Sequence, residues 1–194
     1  MRGRILNMES VAAAAVARMA RLVRCAQAHA RQRRIYARLL RKHGGWRAEA
    51  PHEVHHWGSA QQQARRFEVI LEMAGPRQLR NSSVADIGCG CGDLLAFLRR
   101  NGATPREYVG YDIVPEMVAE AQRRFGADDR VSFECRDVAL RPPNRTFDFV
   151  LSSGIFAFGN RDFFEQMAFA SFGGWLQRET LCIPRIRVAV ACLF

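Results

Sequence analysis

The residues best suited to chemistry lie together in Val84-Ala85-Asp86-Ile87-Gly88-Cys89-Gly90-Cys91-Gly92-Asp93. A short apolar run carries one acid, Asp86, and leads straight into three glycines at alternate positions. Side-chain-free positions at 88, 90 and 92 let the backbone come close to a ligand. Leu94, Leu95, Phe97 and Leu98 then follow with helical spacing, so unpaired helix N–H groups open beside the same spot. Asp86 is placed to accept hydrogen bonds from a cationic or hydroxylated ligand. A second apolar run from Glu107 to Ile113 contains Asp112, 26 residues after Asp86. An acid there can grip both hydroxyls of a ribose.

The glycine spacing is Gly-x-Gly-x-Gly and not the Gly-x-Gly-x-x-Gly of dinucleotide folds. The strand–glycine–helix–strand–acid order is shared with nicotinamide and flavin Rossmann domains, but the glycine spacing and the acid inside the first strand argue against them. A tight turn flanked by ordinary helix-capping acids is the bland alternative.

Asp86 to Asp112 together resemble motif I and its follower in the class I S-adenosylmethionine-dependent methyltransferases. Pro115-Glu116-Met117-Val118 resembles the helix after the ribose acid, and Val131 to Val138 resembles the third strand, ending in the adenine-binding acid, Asp137. Phe147 to Phe156 resembles the fourth strand. Trp57-Gly58-Ser59 with Gln63, Arg66 and Phe67 resembles an element preceding motif I in one bacterial branch. The resemblance implies S-adenosylmethionine as cofactor. Asp86, Gly88 and Gly90 would seat its amino-acid end, Asp112 with Ile113 its ribose, and Asp137 with Val138 its adenine. Trp57 and Ser59 would cover it, and Arg66 would pair with the methionine carboxylate. Substrate would enter near Ser152, Ser153 and Phe156. No general base stands out; His55 or His56 would serve if the connector folds over the site.

The elements needed to hold these residues follow from the pattern. Helix and strand alternate from residue 60 onward, which makes an α/β, Rossmann-like, mostly parallel sheet with helices on both faces. Residues 9–43 read as one long helix, rich in alanine and arginine, stopped by Gly44-Gly45. Residues 1–50 hold twelve basic side chains against two acidic, which accounts for the whole net charge of +10; the rest of the chain is balanced. The chain thus divides into a basic helical extension, 1–50, and a core, 51–194. An arginine-rich face can neutralise phosphates, so nucleic acid is a candidate partner of the extension. Yet 28 of the 29 basic residues are Arg, which points as much to genome composition.

Six cysteines without framework spacing suit free thiols in a reducing cytoplasm. His52, His55 and His56 lack a carboxylate or cysteine to complete a metal site, so no metal is expected. No run is apolar enough to cross a membrane. From Arg161 the resemblance fades. Residues 187–194 can form a fifth strand, while the family's two further strands are expected to be missing, through shortening or a truncated reading frame. An apolar edge there would invite a homodimer. The leading expectation is a cytoplasmic methyltransferase acting on a small molecule. The alternative is an inactive or non-catalytic methyltransferase-like module that binds RNA or a protein partner through its basic helix.

Overall fold

The computed structural model describes residues 8–54, 58–138, 140–153 and 187–191. The expectations placed on Trp57, His55, His56, Phe156 and residues 154–186 lie outside them.

Five parallel strands form one sheet in the order β3-β2-β1-β4-β5: β1 is Ser83–Ile87, β2 Glu107–Asp112, β3 Val131–Cys135, β4 Phe149–Ser153 and β5 Arg187–Ala191. The helices are α1 (Met8–Lys42), α2 (Ala60–Ala74), α3 (Pro76–Arg80), α4 (Asp93–Arg100) and α5 (Pro115–Phe125), with a 3-10 turn at Pro51–Glu53. The chain order reverses between β1 and β4, so the carboxyl ends of β1, β2 and β4 surround a crevice, the usual ligand position in such sheets.

Side chains alternate across the sheet, and the two faces build two cores. Val84, Tyr108, Phe133, Phe149 and Leu151 pack with Phe67, Ile70 and Leu79 of α2 and α3, Leu94, Leu95 and Leu98 of α4, and Val118 and Ala121 of α5. Ala85, Ile87, Val109, Tyr111 and Val150 point the other way and pack with Val138 and Phe147. That second core contains no residue of a described helix, so α2–α5 cover one face. Asp86, Asp112 and Ser153 share the α2–α5 face by parity; Ser152 belongs to the other.

Helix α1 ends as expected, with Gly44 and Gly45 at positive φ and the Gly45 N–H on the Leu40 carbonyl at 2.8 Å. Its C-terminal half lies over the carboxyl edge: Tyr36, Ala37 and Leu40 pack with Trp46, Val54, Cys91, Ile113, Val114 and Met117. Val16, Met19 and Val23, nearer its start, are exposed. Among the described residues no helix is long and apolar enough to cross a membrane, and no three metal-ligating side chains gather.

Candidate functional site

The strand β1 delivers Asp86 to the crevice almost fully buried, and the Tyr108 hydroxyl donates to its Oδ2. Burial and the neighbouring Asp86 carboxylate push the Tyr108 phenol well above its ordinary pKa, so it stays protonated and remains a donor. Tyr108 lies across from Val84 in the β1–β2 register, one diagonal step from Asp86 on the same face. Its role in fixing Asp86 carries no motif; only the pairing register reveals it.

The loop after β1 turns through Gly88 and Gly90, both at positive φ, where a side chain would be strained. Gly88 and Cys89 donate their N–H groups to the Tyr111 carbonyl at 2.8 and 3.1 Å, which ties the loop to the end of β2. Asp112 completes the tie. Its Oδ2 accepts the Gly90 N–H at 2.8 Å and its Oδ1 the Val114 N–H at 2.9 Å. These bonds orient the carboxylate at the end of β2.

At the start of α4, Asp93 holds a buried network. Arg124 Nη1 donates to Asp93 Oδ1 at 2.7 Å and also to the Cys91 carbonyl; Trp46 Nε1 reaches the same Oδ1 at 3.0 Å, and Gln63 Nε2 reaches Oδ2 at 3.5 Å. The Arg124 guanidinium sits 3.5 Å from the centre of the Trp46 ring, a cation–π contact. Nothing in their spacing along the chain singles out Trp46 or Arg124.

These elements enclose an open pocket lined by Gln63, Phe67, Asp86, Gly88, Cys89, Asp93, Leu94 and Ser153. Ser153 Oγ is buried without a hydrogen-bond partner among the described residues. Ser152, one position earlier, is fully buried on the opposite face and donates to the Ile87 carbonyl at 3.0 Å. The serine at the pocket is thus Ser153. Ser59 caps α2 by accepting the Gln62 N–H at 3.2 Å, and Arg66 is half-buried on that helix. Cys89 and Cys91 are free, buried thiols whose pKa values burial pushes up, so both stay uncharged.

The other half of the crevice is closed. Asp137 lies two residues beyond the end of β3, not at its last position, because pairing with β2 stops at Cys135. His29 of α1 meets Asp137 Oδ2 through Nδ1, while Leu140 donates its N–H to Oδ1 at 3.2 Å. His29 and Asp137 are both buried. Tyr36, two turns further along α1 and partly buried, has its phenol pKa raised by burial and by the Asp112 charge. Ile113 packs against this part of α1, whereas Val138 belongs to the core on the far face. His29 and Tyr36 sit in a stretch whose composition reads only as a basic helix.

A parallel sheet with a glycine loop after β1, an acid ending β2 and a crevice at the strand reversal define a Rossmann-like α/β fold. Residues 84–171 match the family described as a methyltransferase domain. A Mycobacterium tuberculosis protein named as a methyltransferase, Rv1506c, is 40% identical over 74 residues, which cover 38% of this chain and 42% of that protein. Over these residues the chain is similar to a methyltransferase domain, in line with the resemblance read from its sequence. It spans less than half the length of that curated relative. Among solved structures, magnesium protoporphyrin IX methyltransferase of Synechocystis PCC 6803 with bound SAM is similar at 21% identity over 58% of this chain and 57% of that one, with a TM-score of 0.43. The N-methyltransferase NodS of Bradyrhizobium japonicum WM9 is similar at 17% identity over 58% and 54%, with a TM-score of 0.45.

Proposed function

We propose that the chain binds S-adenosylmethionine across the carboxyl ends of β1, β2 and β4 and transfers its methyl group to a small-molecule acceptor. The observation that carries this reading is Asp112. Its carboxylate is clamped by the Gly90 and Val114 N–H groups, at the mouth of a loop held open by Gly88 and Gly90. That is an oriented acceptor for vicinal hydroxyls beside backbone that a ligand can approach closely.

The residues present suit the cofactor. Asp86, held by Tyr108, offers a carboxylate for an ammonium group, and Ser153 Oγ is a polar atom with spare hydrogen-bonding capacity in the same pocket. By the family resemblance, Asp137 with Val138 would take the adenine, and Trp57, Ser59 and Arg66 would flank the cofactor. When bound, the cofactor supplies an electrophilic methyl on sulfur; the acceptor's lone pair forms the new bond as the carbon–sulfur bond breaks onto sulfur. The protein's own part is alignment and exclusion of water. Phe67 and Leu94 give the pocket an apolar wall for this.

A second reading rests on a separate observation. Arg24, Arg31, Arg34, Arg38, Arg41 and Lys42 are exposed along α1, on the side away from His29, Tyr36 and Leu40. This stripe suits a polyanion such as RNA, and residues 1–50 would then be a binding extension on a core of 51–194. A homodimer through β5 would be a third property, visible as a doubled mass in sedimentation.

Calorimetric titration with S-adenosylmethionine tests the first reading. The chain should bind it, and Asp112→Ala should weaken binding by about 1–3 kcal/mol through loss of charge-assisted hydrogen bonds and of the loop clamp. Absence of binding at millimolar cofactor would remove the proposal; unchanged affinity in Asp112→Ala would remove Asp112 from it.

A further inference from the structure

Both acids assigned above to the nucleoside lie beneath α1, while the pocket lined by Gln63, Asp86, Asp93 and Ser153 stays open. None of Asp112, Ile113, Asp137 and Val138 lines that pocket. We propose that α1 is a displaceable cover over the nucleoside half of the site, latched by His29 on Asp137, so that cofactor affinity depends on opening it. This rests on the cofactor reading given above.

The geometry makes the contact competitive. Asp137 is buried with His29 Nδ1 at one carboxylate oxygen and the Leu140 N–H at the other. A base edge donating an amino group to Asp137 needs the space that the imidazole fills. Tyr36 packs in the same cluster as Ile113, the neighbour of Asp112. One face of one helix therefore lies over both positions, since 29 and 36 are two turns apart on it.

Among the described side chains of α1, His29 and Ala37 are buried, and Ala20, Ala28, Ala30, Gln32, Ile35, Tyr36, Leu39 and Leu40 are partly buried. Val16, Met19 and Val23 are exposed. The neighbouring ion pair, Arg41 with Glu116 at 3.8 Å, joins two exposed groups and adds little. The helix can leave without unfolding the sheet, which β1–β4 hold together through their own pairing. A binding-competent fraction below one lowers the apparent affinity in proportion, so weakening the latch should strengthen binding.

The test uses the full chain and S-adenosylhomocysteine, which keeps the nucleoside and has no methyl to transfer. His29→Ala should bind it roughly three- to ten-fold more tightly than the unaltered chain, as expected when a closed state is depopulated. In the unaltered chain, saturating S-adenosylhomocysteine should speed amide hydrogen exchange in α1 while slowing it in the glycine loop. Equal or weaker binding by His29→Ala, or α1 amides that exchange more slowly with ligand, would overturn the latch; the helix would then close on the cofactor. The exchange experiment decides the matter even if His29→Ala folds poorly. No binding by either chain overturns the cofactor reading and the latch with it, whereas binding by both without a difference overturns the latch alone.

Discussion

Ser152 and Ser153 show how one position along a strand separates structure from site. Ser152 shares its face with Ile87 and gives its hydroxyl to the Ile87 carbonyl, fully buried. Ser153 shares the face of Asp86 and Asp112, lines the pocket and keeps a polar atom without a described partner. The two alanine substitutions should therefore separate. Ser152→Ala should lower unfolding free energy by about 1 kcal/mol, the typical value of a buried neutral hydrogen bond, with cofactor affinity little changed. Ser153→Ala should leave stability nearly unchanged and weaken cofactor binding. Urea unfolding and titration on the same two variants check this, and a loss of binding in Ser152→Ala alone would reverse the assignment. The parity was readable in principle from the β1–β4 register, Ile87 beside Ser152, but register is a property of the paired sheet.

At the scale of elements, α5 holds more than its own strands. Arg124, in its last turn, reaches back to the Cys91 carbonyl and to Asp93 and lies against Trp46. Its side chain and that of Asp93 are about one-tenth exposed, so removing one partner strands a buried charge. Arg124→Ala should destabilise the fold by about 3–5 kcal/mol in urea unfolding, and Arg124→Lys, which lacks the planar guanidinium that stacks on Trp46, should recover only part. The opposite end of the sheet is fastened by Asp148, which accepts the N–H and hydroxyl of Ser83 at 2.8 and 2.9 Å and returns its own N–H to Ser83 Oγ. The Ser83 hydrogen bonds hold the Asp148 carboxyl below the ordinary value of 3.8. A carboxyl depressed in the folded state adds stability above its unfolded pKa, and that stability is lost as pH falls through the lower folded value. The chain should hence lose stability below about pH 4, and Ser83→Ala should flatten that acid limb. An identical acid limb in Ser83→Ala would show that the Ser83 hydroxyl is not a contributor, since the backbone N–H of residue 83 still holds Asp148. Because Asp148 is half exposed, solvent screening keeps the effect small.

Across the whole molecule the charge is divided: the basic excess lies in the first 50 residues and its exposed stripe faces away from the core. If RNA binds there, four to six phosphate contacts give a slope on the order of −3 to −4 in log affinity against log salt. Replacing Arg24, Arg31, Arg34 and Arg38, which make no described contact with the core, with Glu should abolish that binding, measured by fluorescence anisotropy, and leave cofactor titration unaltered. Salt-independent binding would place the nucleic acid elsewhere.

The alternation of helix and strand and the glycine loop were legible before any fold was known. They depend on local periodicity and on conformations that glycine alone adopts cheaply, and both are written residue by residue. The long helix and its Gly44-Gly45 stop were legible for the same reason. What that helix covers was not. Its residues spell amphipathic and basic, and the pairing of His29 with Asp137 spans 108 positions, a separation no local pattern encodes. Tyr108 beneath Asp86 and Arg124 beneath the glycine loop belong to the same class of contact. Each exists because packing brings distant turns of the chain within hydrogen-bond reach, and burial makes an unpaired polar group costly enough to enforce the meeting.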